Sequence, residues 1–283
     1  MKKALIGLLI LLLAGCAAET TAENDQDGID GGNRNTGEET EQPEADVSDE
    51  DKEQDGNDDE DVNQDSEDEP VDVPAITYTV HPANWTLKTE AETDEKVVLL
   101  TIDDAPDKHA LEMAQKLKDL DVPAIFFVNG HFMDTDDEKN IVKKIYEMGF
   151  EIGNHTMSHA NLKNSSEEKQ RNEIITLSEE IEAVTGTAPR FFRAPFGINT
   201  DFSKKLIEEQ GMLFMNWTYG YDWEKEYQSG EGIADIMVNT PLLTDGAILL
   251  MHDRDWTNEA LVDIVKGLQA KGYTFVHPEQ IVE

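Results

Sequence analysis

The chain has 283 residues, with 61 Asp and Glu against 23 Lys and Arg and a formal net charge of −38. So large a negative balance repels a phosphate backbone and excludes nucleic acid as a partner. A single cysteine, Cys16, excludes an internal disulfide.

At the start, Lys2 and Lys3 precede an apolar run from Ala4 to Leu13. That run is shorter than the ~20 residues a membrane span needs, so residues 1–15 read as a secretory signal peptide. Its ending, Leu13-Ala14-Gly15-Cys16, resembles the bacterial lipobox, which implies cleavage before Cys16 and lipidation of its sulfur. A non-lipidated signal with an incidental cysteine is the alternative. From Glu19 to Asp72 there are 24 acidic residues against only Arg34 and Lys52, and no aromatic residue. Such a stretch cannot bury enough surface to offset chain entropy, so residues 16–72 are expected to form a disordered acidic tether with a mean reach of about 40 Å.

Residues 73–283 are long enough for one hydrophobic core. Ile76, Tyr78 and Val80 alternate and predict an added edge strand. After them come apolar runs at Val97–Ile102, Ala124–Val128, Phe150–Gly153, Phe191–Phe192, Met212–Thr218, Ala247–Met251 and Tyr273–Val276. Between these runs, apolar residues recur at three- and four-residue spacing, as in Ile174, Leu177, Ile181 and Val184, or Leu261, Ile264, Val265 and Leu268. That period puts each set on one helix face. Gly149, Gly186, Gly211 and Gly272 stand where left-handed helix ends are expected. About seven strands alternating with helices predict an α/β domain with a parallel sheet, either an incomplete barrel or an open doubly wound sheet.

Chemistry-bearing residues follow five of the apolar segments: Asp103-Asp104, His155 with His159, Arg193, Asp222-Trp223 and His252. Strand C-termini are where catalytic groups collect in barrels of alternating strands and helices, so the placement points to an enzyme. His155 and His159, four residues apart, suit one divalent metal. Adjacent carboxylates at the end of a buried strand need partners; a metal accounts for one and a nearby arginine for the other.

At these residues the chain resembles the polysaccharide deacetylases, the NodB-homology group also called carbohydrate esterase family four. Thr101–Pro106 reads as the family's Thr-Phe-Asp-Asp-Gly-Pro, His155–His159 as its His-Ser/Thr-x-x-His and Arg193–Gly197 as its Arg-x-Pro-x-Gly. The resemblance implies a distorted, incomplete (β/α) barrel. It also implies one divalent ion on Asp104, His155 and His159, commonly zinc, with cobalt or nickel as alternatives. Asp103 is then the general base, paired with Arg193, and His252 the general acid. Pro195, Phe196, Gly197, Trp223 and Leu250 form the substrate pocket, with Trp223 and Leu250 against the acetyl methyl.

Three positions depart from the family pattern. Ala105 stands for a glycine, which matters if that position requires a positive φ. Phe196 stands for a tyrosine. In the fourth motif Tyr219 occupies the place of the first Asp, which orients the acid histidine in relatives; Asp222 is the candidate substitute, with Asp253 or Asp255 as alternatives. The expected activity is metal-dependent removal of N-acetyl groups from a cell-wall or surface polysaccharide, most readily peptidoglycan, by a lipid-anchored extracytoplasmic monomer. A non-catalytic glycan-binding lipoprotein and an O-acetyl esterase are the competing readings. His131 reads as a structural or surface residue, with a place at the mouth as the alternative; His81, His109 and His277 read as surface residues. Trp217 and Trp256 suit either sugar stacking or the core.

Overall fold

The computed structural model describes residues 76–282; the expected signal peptide, the lipidation site Cys16 and the acidic tether lie outside them. The domain is a curled parallel sheet with helices packed on its outer side. Its strands are β3 (Lys96–Ala105), β4 (Ala124–Val128), β5 (Glu151–Asn154), β6 (Phe191–Phe192), β7 (Leu213–Phe214), β8 (Ala247–His252) and β9 (Tyr273–Phe275), preceded by β1 (Thr79–Val80) and β2 (Leu87–Lys88). The sheet runs β7-β6-β5-β4-β3-β8, and β9 pairs with the N-terminal end of β3. All of its pairings are parallel.

Central β3 shows why the apolar runs are continuous. Every residue from Val97 to Ala105 is buried, because the strand is covered on both faces. Val98, Leu100 and Ile102 pack with residues of the helices, while Val97 and Leu99 join Ile125, Phe127, Phe191 and Ile248 inside the curl. By the same two-residue period, Thr101 and Asp103 belong to the interior row.

The helices are α1 (Ala110–Asp119), α2 (Asp136–Glu147), α3 (Glu167–Thr185), α4 (Asp201–Glu209), α5 (Gly230–Asn239) and α6 (Asp255–Ala270). Each presents the predicted apolar stripe to the sheet. Four have side-chain caps: Thr135 with Glu138 and Thr200 with Ser203 form capping boxes, and Ser166 and Ser229 cap α3 and α5. The four predicted helix-ending glycines all have positive φ.

Two predicted strands are built differently. The expected strand Met212–Thr218 pairs with β6 only at Leu213–Phe214. Beyond Met215 the carbonyls of Met215 and Asn216 turn to the Arg193 guanidinium instead of a neighbouring strand. The chain then crosses to β8, where Thr218 N donates to Ile248 O at 2.8 Å and Leu250 N to Tyr219 O at 2.9 Å, bringing the two ends of the curl together. The alternating segment at Ile76–Val80 is not an edge of the main sheet. Its β1 pairs antiparallel with β2, and Tyr78 and Leu87 plug the interior beneath Val97 and Leu99. Leu87 N donates to Gly246 O at 2.7 Å; a Cβ on Gly246, whose φ is +74°, would strike the Leu87 carbonyl, so this contact requires glycine.

Candidate active site

The C-terminal ends of β3, β5 and β8, with the turns after β6 and β7, surround a cavity of about 460 Å³. Asp103 lies at its floor, 2 % exposed. Its Oδ1 accepts from Arg193 Nη1 at 2.6 Å, and the same nitrogen donates to Thr101 Oγ1 at 2.8 Å. Arg193 is fully buried; its remaining donors reach Met215 O and Asn216 O, and its Cζ lies 4.3 Å from the centroid of the Phe127 ring. A buried guanidinium is tolerable only when its donors are matched in this way.

In a regular strand, neighbouring side chains point to opposite faces, which would send Asp104 away from Asp103. A register shift against β4 between Ile102 and Ala105, with Asp104 at φ 63°, breaks the alternation and brings both carboxylates to the mouth. The left-handed residue of this motif is therefore Asp104, not Ala105, and the Ala105 Cβ fits into the core between β3 and the helices. The glycine-to-alanine change carries none of the expected strain. Of the six non-glycine residues with positive φ among those described, four belong to this region: Asp104, Thr156, His159 and Phe196. Such concentration of unfavourable backbone is typical of sites whose geometry is held by their surroundings.

Asp104, His155 and His159 offer three ligand atoms within 4.8 Å of one another, the one such group among the described residues. His155 Nδ1 is 2.7 Å from the Arg193 carbonyl, a contact that puts the proton on Nδ1 and leaves Nε2 unprotonated toward the carboxylates. Nε2 lies 4.0 Å from Asp104 Oδ1 and 3.5 Å from Asp103 Oδ2; His159 Nε2 lies 3.7 Å from Asp104 Oδ1. Burial lowers the pKa of both imidazoles and thus favours the neutral form a metal requires. Burial opposes ionisation of Asp104, but the surrounding histidines and Arg254 outweigh it and hold its carboxyl below the usual range. Two imidazoles and one carboxylate suit zinc, cobalt or nickel better than magnesium or calcium.

Across the cavity, Asp222 is the partner of His252. Asp222 Oδ1 lies 2.7 Å from His252 Nδ1, and Oδ2 accepts from His252 N at 2.6 Å and Thr257 Oγ1 at 2.8 Å. Burial lowers the histidine's affinity for a proton, yet the hydrogen bond and charge of Asp222 win and its pKa is raised. The alternatives serve elsewhere: Asp253 accepts from Lys108 N, His109 N and Ala110 N, capping α1 in place of a local residue, and Asp255 lies 2.8 Å from His109 Nε2. Tyr219, standing for the first motif carboxylate, points away and donates to Met237 O at 2.8 Å.

Phe196, Trp223 and Leu250 line the cavity, with Phe196 60 % and Trp223 44 % exposed at its rim. Trp223 stands edge-on to His252, and Phe196 edge-on to His159. Gly220 makes room for this arrangement, since a Cβ there would meet Leu250 O at 2.5 Å and the Trp223 ring at 2.8 Å. Pro195 and Gly197, expected in the pocket, do not line it; they form the turn that presents Phe196. His131 stacks on Phe132 and is likewise outside the lining. Trp217 does line it, while Trp256 donates to Asp222 O at 2.8 Å. Sequence reasoning missed Arg254, whose Nη2 donates to Asp104 Oδ2 at 2.7 Å. Each of the adjacent carboxylates thus has its own arginine, where only one had been expected.

Residues 90–215 match the family model for polysaccharide deacetylases. A peptidoglycan-N-acetylglucosamine deacetylase of Bacillus cereus is 34% identical over 189 residues, covering 63% of this chain and 66% of that protein. A peptidoglycan-N-acetylmuramic acid deacetylase of Bacillus subtilis is 30% identical, covering 65% of this chain and 70% of that protein. The chain belongs to the polysaccharide deacetylase family. Among solved structures of the family, the Bc1960 peptidoglycan N-acetylglucosamine deacetylase is 32% identical with a TM-score of 0.60, covering 66% of this chain and 88% of that one. A pseudoenzyme of the same family from Bacillus anthracis is 29% identical, with a TM-score of 0.59 and coverage of 66% and 65%. The family match stops before Asp222 and His252, so their pairing rests on the geometry alone.

Proposed function

We propose that the protein is a metal-dependent N-deacetylase acting on amino-sugar residues of a cell-wall polysaccharide, with peptidoglycan as the first candidate. The observation that carries this reading is the convergence on one cavity of a three-ligand cluster, a carboxylate fixed by a buried arginine, and a histidine backed by a buried carboxylate. Asp104, His155 and His159 would hold the ion, which when bound polarises the acetyl carbonyl and acidifies water. Asp103, held by Arg193 with its Oδ2 directed toward the metal cluster, accepts the proton of the attacking water. His252, whose affinity for a proton Asp222 raises, gives a proton to the departing sugar amine. Leu250 and Trp223 supply an apolar wall for the acetyl methyl, and the exposed face of Phe196 suits a sugar ring.

Peptidoglycan is favoured as substrate by the relatives, which are peptidoglycan deacetylases, and by the expected position of the protein. A lipid anchor at Cys16 and an acidic tether would keep the domain outside the cytoplasm within reach of the wall. Acetate release from purified peptidoglycan and from chitooligosaccharides, assayed in parallel with zinc-loaded protein, tests the reading. Release from peptidoglycan supports it, release from chitooligosaccharides alone moves the substrate, and saturable glycan binding with no release from either replaces the enzyme by a binding protein.

A further inference from the structure

Arg254, just before α6, has no part in the chemistry described above. Its Nη2 donates to Asp104 Oδ2 at 2.7 Å, and its Nη1 to Asp107 Oδ2 at 3.1 Å and Asp253 O at 3.3 Å. The side chain is 32% exposed and lines the cavity. The Asp104 carboxylate is thereby divided, with Oδ2 committed to Arg254 and Oδ1 facing His155 and His159. We infer that Arg254 is a built-in counter-ion for Asp104, a positioning residue that keeps the metal site preformed without metal and moderates its grip on the ion. The inference rests on the metal-site reading given above.

Asp103 and Asp104 are 2 % and 7 % exposed, and a carboxylate at such depth is costly without a partner. Arg193 serves Asp103, and among the described residues Arg254 is the one permanent cation within 4 Å of Asp104. With both imidazoles neutral, Arg193 and Arg254 offset two of the three carboxylates they touch, Asp103, Asp104 and Asp107, so Arg254 lowers the net negative charge beside the metal ligands by one. A dication gains less on entering a site of smaller negative charge. Committing one oxygen to Arg254 also confines Asp104 to a single metal contact, which keeps coordination positions free for water and substrate.

A counter-ion and a merely structural residue differ in the sign of their effect on metal affinity. Zinc is titrated into the metal-free full chain against a chromogenic chelator, for wild type, Arg254→Ala and Arg254→Lys, and thermal unfolding is followed with and without zinc. Loss of the counter-ion is expected to tighten zinc binding severalfold or more in Arg254→Ala, and to lower the Tm of the metal-free form more than that of the zinc-loaded form. Arg254→Lys restores values near wild type. With cobalt in place of zinc, the visible absorption of Arg254→Ala is expected to weaken as the freed Oδ2 raises the coordination number. If metal-free Arg254→Ala does not fold, Arg254→Gln, which removes the charge and keeps donors, carries the same comparison. Weaker or unchanged zinc affinity in Arg254→Ala or Arg254→Gln overturns the inference and leaves the site standing. Failure of wild type to bind stoichiometric zinc overturns both.

Discussion

Replacing Asp103 with asparagine tests the base assignment and the buried ion pair together. The substitution keeps the shape of the side chain and an oxygen for Arg193 Nη1, but removes the one carboxylate among the described residues within 4 Å of a guanidinium that is fully buried. Removing one member of a buried pair costs about 3–5 kcal/mol when the remaining charge is left without partners. Here Thr101 Oγ1, Met215 O and Asn216 O still accept from Arg193, so the loss reduces to the charge-assisted part of one hydrogen bond, about 1.5–3 kcal/mol. For a domain of this size that is a fall in Tm of about 3–12 °C, within the 5–15 kcal/mol margin of a folded domain. The metal ligands are untouched, so bound zinc should remain stoichiometric. Loss of the proton acceptor should cut turnover by about 10²–10⁴-fold. Folding and metal content are measured by thermal unfolding and metal analysis, and turnover by acetate release. Turnover near wild type in folded, zinc-loaded Asp103→Asn would refute the base role; a loss of metal parallel to activity would show that the two aspartates do not divide the work.

Asp104→Asn and His155→Ala should each lose stoichiometric zinc while retaining the fold, which metal analysis beside circular dichroism decides. Asp222→Asn removes the carboxylate that raises the His252 pKa, so the alkaline limb of the pH–rate profile should move to lower pH with metal content unchanged; a stationary limb would deny the pairing its catalytic part. The same pair contributes stability fully below the ordinary imidazole pKa and loses it as pH rises through the raised one, so the Tm difference between wild type and Asp222→Asn should shrink toward alkaline pH. Cys16→Ala should release the protein from the membrane fraction, and retention there would place the anchor elsewhere.

Most of the barrel was legible because its strands are buried on both faces and therefore appear as unbroken apolar runs, while the helices carry a separate three-to-four-residue period. The segment Met212–Thr218 misled because it is equally apolar, yet two of its carbonyls serve Arg193, a residue about twenty positions away whose demand has no local signature. Ile76–Val80 alternates like an edge strand; that it plugs the curl depends on Tyr78 and Leu87 meeting the interior row of β3. The candidate site residues were found by type and order, but their roles turn on finer geometry. The left-handed backbone at Asp104 settles the significance of Ala105, and the direction of the Tyr219 hydroxyl removes it from the histidine. Arg254 is in principle accessible: two adjacent buried carboxylates with one arginine between them leave one dependent on a metal alone, and a second arginine lies two residues beyond His252.

The plug beneath the curl also determines how the domain faces its surroundings. Tyr78 exchanges backbone hydrogen bonds with Gln280 and Val282, at 2.8 Å each, so both ends of the described chain leave the fold from the pole where the strands begin. The cavity opens at the pole where they end. Whatever the domain hangs from, by either end, meets its base, and a long polymer can approach the exposed rings of Phe196 and Trp223 from the far side without passing the attachment. A support joined directly at Ile76 or Val282 should likewise leave the mouth clear.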